Sequence, residues 1–383
     1  MALSGNKGEW SELYVLISLL AEGKLYQSDD SLNKDYNNVY EIIKAYKSEK
    51  NYSLEFGRNG KIDLYKQSND IKELCASFIL QEFSELSKKI LEGIKTGKGK
   101  SFPIIEVNDI LENELLISKV KADSSSKADI KLRIYDHRLA KETNLGFSIK
   151  SLLGTDSTLF NTGPGNNFIY EVENNLNCTI KDFNKTTYSP PNRISKLAYR
   201  LNELERVGCG ISFKNIQSPQ LWKNLKMVDG DLPEIMAWAL YYRWLHREPS
   251  VKKVSDLLEK NDPLNFYKNE ESIQKLYENK IKRFLSESAM GMTSETPWLG
   301  EYDSFGGVII AKKDGDIVCF HIYDFNIFRN YLIENTLFEQ ASTGEDGDNP
   351  GFPKLKGKKY YYGWLYEEMN KLYFKINLQI RFK

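Results

Sequence analysis

Two short stretches before the middle of the chain constrain its fold more than any other feature. Residues 126–134, SKADIKLRI, and residues 146–151, GFSIKS, each alternate polar and apolar side chains. A period of two is that of a half-buried β-strand. In the first stretch Ala128, Ile130, Leu132 and Ile134 share one face and Asp129 begins the other. In the second, Phe147 and Ile149 point one way while Gly146, Ser148 and Lys150 point the other. If the two strands pair, Asp129 and Lys150 stand side by side. A carboxylate there can hold a divalent cation, which polarises a phosphate and lowers the pKa of water. The lysine can orient that water or neutralise charge developing on the phosphate. The plain alternative is an aspartate that starts a strand and a lysine on a solvated face. The pair alone favours that plain alternative, and the balance shifts only with the N-terminal segment.

Residues 7–22, KGEWSELYVLISLLAE, read as a helix with Leu13, Leu16, Ile17 and Leu20 as its apolar stripe and Ser11 and Ser18 opposite. Glu9 falls inside that stripe and Glu12 at its edge. A glutamate facing a core is costly unless it is paired or bound to metal. A favourable place near the positive helix end accounts for one such glutamate better than for two.

Composition excludes several classes. With 41% apolar and 28% charged residues, the chain of 383 residues is long enough for a large core and one or two domains. Fifty-three basic residues balance 53 acidic ones, so net charge does not announce a nucleic-acid partner, although a local basic cleft would serve. Cys75, Cys178, Cys209 and Cys319 show no C-x-x-C spacing, which argues against a zinc site or a disulfide framework and suits a reducing cytoplasm. No apolar run reaches membrane-spanning length, and residues 1–20 lack a signal pattern, so an intracellular soluble protein is expected. The three histidines (His137, His246, His321) start no H-x-K pair and no serine lies in G-x-S-x-G. Histidine-dependent nucleases and serine esterases are thereby disfavoured, whereas a carboxylate–lysine metal site needs neither motif.

Elsewhere the pattern predicts a short helix at 38–47, a hairpin over 52–65 turning at Gly57–Gly60, and a long amphipathic helix over roughly 70–95. The run Gly93–Ser101 invites a phosphate-loop reading, but its first glycine is misplaced by one and a helix precedes it. Residues 153–168 are loop chemistry rich in hydroxyls and amides, leading into a strand at 168–172. The segment 186–193, with Pro190 and Pro191, is the best domain boundary. Beyond it the periodicity predicts helices near 193–205, 231–247, 251–259, 270–286 and 326–339, strands at 305–312 and 316–323 turning at Asp314-Gly315, and a polar loop at 342–353. The chain closes on an alternating strand, 371–382, with Lys375, Asn377, Gln379 and Arg381 on one face. These side-chain types read base edges and phosphates, although a strand with one solvated face explains them more simply.

Asp129, Lys150 and a helix glutamate together resemble the PD-(D/E)xK nuclease superfamily. Within it, NKGEWSELY at 6–14, GFSIKSLLG at 146–154, YDSFGG at 302–307, CFHIY at 319–323 and KINLQIRF at 375–382 resemble the HpaII-type restriction endonucleases. The resemblance covers essentially the whole chain. It implies an α/β fold: a nuclease core with a central mixed β-sheet flanked by helices over residues 1–188, and an α+β region over 189–383 that completes the DNA cleft and reads sequence. It further implies Mg²⁺-dependent cleavage of double-stranded DNA at a short palindrome, CCGG for enzymes of this type, by a homodimer paired with a protective DNA methyltransferase. Asp129, Lys150, Ser148 and Glu12 would be catalytic, and Asp129, Glu12 and Glu9 the metal ligands. Lys375, Asn377, Gln379 and Arg381 would face DNA. One position departs from the superfamily pattern. Ser148 stands two before the lysine where an acid is expected, and a neutral serine supplies no second negative ligand. Glu12 is the preferred substitute, then Glu9, with Glu171 or Glu173 on the following strand as further candidates. A DNA-binding or interaction protein with a degenerate nuclease core is the competing expectation.

Overall fold

Asn6 and Glu9 start the first helix, Lys7–Glu22, by a reciprocal capping box: Asn6 Oδ1 accepts from the Glu9 N–H at 3.0 Å and Glu9 Oε2 from the Asn6 N–H at 2.8 Å. Gly23 ends it at φ +75°, a left-handed conformation that favours glycine. Trp10, Leu13, Val15, Leu16, Ile17, Leu19 and Leu20 are buried, so the helix is covered over most of its circumference. The Trp10 indole donates to the Phe102 carbonyl at 2.9 Å, and the Tyr14 hydroxyl to the Gly315 carbonyl at 2.5 Å.

The computed structural model describes residues 2–69, 71–121, 128–154, 158–191, 194–268, 270, 272–301, 306–339 and 362–383. Ser126 and Lys127 of the opening stretch, residues 302–305 and the polar loop expected at 342–353 lie outside them. Two compact units form, Met1–Ser157 with Tyr302–Phe328, and Thr158–Glu301 with Arg329–Lys383. This division differs from the expected one at 188/189. Gly307–Ala311 pairs in parallel with Lys141–Ser151, Ile310 opposite Lys150, and so a late hairpin completes the first unit's sheet.

That sheet has nine strands, in the order Lys24–Ser28, Ile317–His321, Gly307–Ala311, Lys141–Ser151, Ile130–Asp136, Lys34–Ser48, Ser53–Arg58, Ile62–Ser68, Ile71–Phe78. Lys24–Ser28 also pairs with Lys34–Ser48, which closes six of the strands into a hydrogen-bonded ring. The sheet is mixed: two of its pairings are parallel and the others antiparallel. With the helices Lys7–Glu22 and Leu80–Thr96 packed together in the same unit, this is a mixed α/β arrangement.

Several elements differ from expectation. Residues 38–47 are not a helix but part of the 15-residue strand Lys34–Ser48, which pairs on both edges. Its aromatic and β-branched residues suit a strand, and Tyr40, Ile42 and Ala45 are buried there. The helix expected from 70 begins only at Leu80, because Ile71–Phe78 forms the edge strand against Ile62–Ser68. The hairpin at 52–65, the strand pair Ile130–Asp136 and Lys141–Ser151, and the Asp314-Gly315 turn form as expected.

The second unit holds two antiparallel sheets. One runs Ile211–Ile216, Asn167–Val172, Lys371–Asn377, Leu365–Glu368; the other runs Thr158–Phe160, Ile380–Phe382, Thr336–Phe338. Helices Lys196–Arg206, Leu232–Leu245, Val251–Asn261 and Leu276–Ala289 correspond to four of those expected. The helix expected over 326–339 ends at Glu334, and Thr336–Phe338 is a strand. The closing strand is likewise two strands, interrupted at Leu378-Gln379, where the Leu378 N–H donates to the Asn166 carbonyl at 2.9 Å.

Candidate active site

Asp129 ends the approach to the strand Ile130–Asp136. Its N–H donates to the Phe147 carbonyl at 3.0 Å, extending the ladder in which Ile130 faces Phe147. Its carboxylate then reaches across to the neighbouring strand: Oδ2 accepts from the Ile149 N–H at 2.7 Å and from the Ser148 hydroxyl at 3.1 Å. The Asp129 carboxylate is thus fixed by the backbone that carries Lys150. Ser148, the departure from the acidic pattern, orients the aspartate rather than adding a charge.

Lys150 is half-buried in the centre of the sheet. Burial pushes its ammonium below the ordinary lysine value, and the charges of Asp129 first and Glu12 second pull it back. Glu12 arrives on the first helix, docked here by its neighbour: the Ser11 and Ser151 hydroxyls lie 2.8 Å apart, and Ser11 donates to the Lys7 carbonyl at 2.7 Å. Glu12 and Asp129 share the wall of a cavity of about 50 Å³ with Leu16, Lys47 and Val120. That is room for a small hydrated ion or one or two waters. Lys150 is outside that lining and acts on the two carboxylates through charge. The donor set is hard oxygen, the type that suits Mg²⁺. Among the described residues no group of three or more His, Cys, Asp or Glu could hold a metal.

Asp129, Ser148, Lys150 and Glu12 are therefore brought together, and Glu9 is not. Its carboxylate is turned back onto the Asn6 N–H as half of the capping box. Glu171, in the second unit, is ion-paired with Lys371 at 2.6 Å and Lys214 at 3.5 Å. The four polar residues of the closing strand also part company. Asn377 is buried, and its amide is spent: Oδ1 accepts from the Thr162 hydroxyl at 2.7 Å, and Nδ2 donates to the Gly163 carbonyl at 2.9 Å and Asn167 Oδ1 at 2.7 Å. Gln379 is buried at the break. Lys375 reaches Gln217 Oε1 at 3.2 Å and Arg381 lies 3.7 Å from Glu339, both half-buried. Lys375 and Asn377 belong to one sheet and Arg381 to another, so the expected common face does not form.

Lys47 and Glu49 escaped the sequence reading. Lys47 Nζ is 3.5 Å from Glu49 Oε1, and the Ser118 hydroxyl and N–H both donate to Glu49 Oε2. Assigning 38–47 to a helix hid them. As the end of a strand, residues two apart share a face, which is the signal that finds the pair.

A family model described as HpaII restriction endonuclease matches residues 6–382. The type II restriction enzyme HpaII of Haemophilus parainfluenzae is 32% identical over 381 residues, covering 99% of this chain and 98% of that protein. No solved structure gives a significant match. Among the described residues no helix is long and apolar enough to cross a membrane. Matched over almost its whole length by both comparisons, the chain belongs to the HpaII restriction endonuclease family.

Proposed function

We propose that the first unit is a PD-(D/E)xK core that hydrolyses phosphodiester bonds of double-stranded DNA with Mg²⁺, at a short palindrome of the CCGG kind. Family membership makes the chain a type II site-specific deoxyribonuclease; the metal, the site and the residue roles are the finer reading. The observation that carries it is the meeting of Asp129, Glu12 and Lys150 where the first helix packs on the sheet.

Asp129 and Glu12 would hold the cation, which supplies charge stabilisation at the phosphate and a more acidic water. Ser148 and the Ile149 N–H keep the Asp129 carboxylate aimed by occupying Oδ2 and leaving Oδ1 for a ligand. Lys150 positions the attacking water and exchanges a proton at Nζ. A lysine below its ordinary range gives up its charge more readily, which suits that task. A homodimer would match the two-fold symmetry of a palindrome, and a methyltransferase of the same specificity would protect the host's own sites. Lys375 and Arg381 remain the candidates on the closing strands for contact with DNA phosphates.

Purified protein and a plasmid of known sequence test this reading. With Mg²⁺ the plasmid should be cut at one fixed palindrome, read by sequencing the ends, and chelator should stop it. Lys150→Ala should remove cleavage while melting and specific binding persist. A wild-type rate from Lys150→Ala, or no cutting with any divalent metal, overturns the assignment.

A further inference from the structure

Lys47 stands on the cavity wall with Glu12 and Asp129, carried there by the last turn of pleat in the strand Lys34–Ser48. Its side chain is 9% exposed, and that of its partner Glu49 is fully buried. Glu49 is in turn fixed by Ser118, whose N–H lies 3.3 Å from Oε2. Glu49 and Glu12 both attract the Lys47 ammonium, while Lys119 repels it. The Lys47 ammonium is thus paired with one carboxylate locked to the backbone and attracts a second, on a separate helix, across the cavity that both line. The fixed member is Glu49, and the member that faces the cavity is Glu12.

We infer that Lys47 is a positioning residue for the cleavage reaction: anchored by Glu49, it holds the Glu12 carboxylate in place for a divalent cation beside Asp129. The inference rests on the reading of Asp129 and Glu12 as cation ligands. It assigns a task to a charge pair that sheet formation does not need, since an apolar side chain would fill the same space at no desolvation cost. Partners of this kind, one shell behind the ligands, typically change metal affinity by roughly 10–100-fold.

The sign of the effect separates positioning from simple charge. Removing a positive charge beside a cation site should tighten cation binding by electrostatics alone. Losing the hold on Glu12 should weaken it. The experiment is calorimetric titration of the full chain with Mg²⁺ and with Mn²⁺, without DNA, for wild type, Lys47→Met, Lys47→Arg, Glu49→Gln, Glu12→Gln, Asp129→Asn and the double variant Glu12→Gln/Lys47→Met, with melts in chelator alongside. Lys47→Met should weaken cation binding roughly 10-fold, Glu49→Gln should weaken it less, and Lys47→Arg should restore most of it. In the Glu12→Gln background Lys47→Met should add almost nothing, because the two act as one unit. Should Lys47→Met fail to melt cooperatively, Glu49→Gln carries the test in the same direction. Unchanged or tighter binding in Lys47→Met or Glu49→Gln, with weaker binding in Glu12→Gln, overturns this inference and leaves the ligand reading standing. Wild-type binding in both Glu12→Gln and Asp129→Asn removes the ligand reading, and this inference with it.

Discussion

Lys150 and Asn377 each sit on a strand in the middle of a sheet, one in either unit, and their surroundings use them in opposite ways. Around Lys150 the acids Asp129 and Glu12 act through charge, and the hydrogen bonds of Asp129 to the neighbouring strand both use Oδ2. Around Asn377 the chain has closed: three hydrogen bonds to Thr162, Gly163 and Asn167 consume the amide. A polar residue on a strand is thus available for chemistry only where its own unit leaves it unsatisfied. Satisfied, it is a fastening, and its removal should be felt in stability instead of activity.

The largest effect separating the two regions should come from Asp129→Asn. The amide keeps an oxygen for the Ile149 N–H, so the strand pair persists, but the negative charge is gone. Cleavage should fall by roughly 10³-fold or more while the melting temperature in chelator stays near that of wild type. Cleavage within a few-fold of wild type would place the chemistry elsewhere.

Asn377→Ala should do the reverse. It removes one donor from the Gly163 carbonyl and from Asn167 Oδ1 and the acceptor of the Thr162 hydroxyl, at a cost of about 1–3 kcal/mol. Denaturant midpoints measure this directly. At temperatures where the variant is folded, its preference for one site over random DNA should be unchanged. A selective loss of cognate binding at full stability would return Asn377 to DNA recognition and break the comparison.

A third probe lies on the hairpin Gly307–Ala311/Ile317–His321, whose first strand pairs with the strand of Lys150. His321 is buried and stacked on Tyr40, with its Nδ1 accepting from the Tyr323 N–H at 3.3 Å. Burial, reinforced by Arg138 and opposed by Asp136 and Asp324, pushes the imidazole down to about 4. The unfolded chain therefore binds the extra proton between about pH 6.5 and 4. Stability from this source is complete above pH 6.5 and is lost as pH falls, by about 2 kcal/mol at pH 5. Urea midpoints at pH 7.5 and 5 should converge in His321→Phe relative to wild type; an identical pH dependence in both would show that the histidine does not titrate in that window.

How far the sequence discloses this follows from the same distinction. Alternation in 128–134 and 146–151 is a local property, and it locates the strand pair and sets Asp129 next to Lys150. The first helix is legible through its stripe, and Glu12 at the stripe's edge comes with it. What alternation cannot disclose is cover. Residues 375–381 alternate as well as 146–150 do, yet the break at Leu378-Gln379 is imposed by Asn166, more than two hundred residues away. The strand Lys34–Ser48 was illegible for a related reason. Its apolar residues fit either period over ten residues, and pairing on both edges decides for the strand. Lys47 went unseen with it.

Glu9 and Glu12 offer the smallest and most pointed contrast, since they lie within one turn of the same helix. Glu9 Oε2 closes the capping box on the Asn6 N–H, while Glu12 lines the cavity with Asp129. Glu9→Ala should lower stability by about 0.5–1 kcal/mol, the usual worth of such a cap. Glu9→Gln should restore most of it, because glutamine offers the same oxygen. Neither should alter the Mg²⁺ concentration that gives half-maximal cleavage, whereas Glu12→Gln should raise it. A Mg²⁺ titration of cleavage for the three variants, with melts in chelator, decides the matter. A shift with Glu9→Gln as large as with Glu12→Gln would mean that the helix start is part of the cation site, and that the capping box opens when the cation binds.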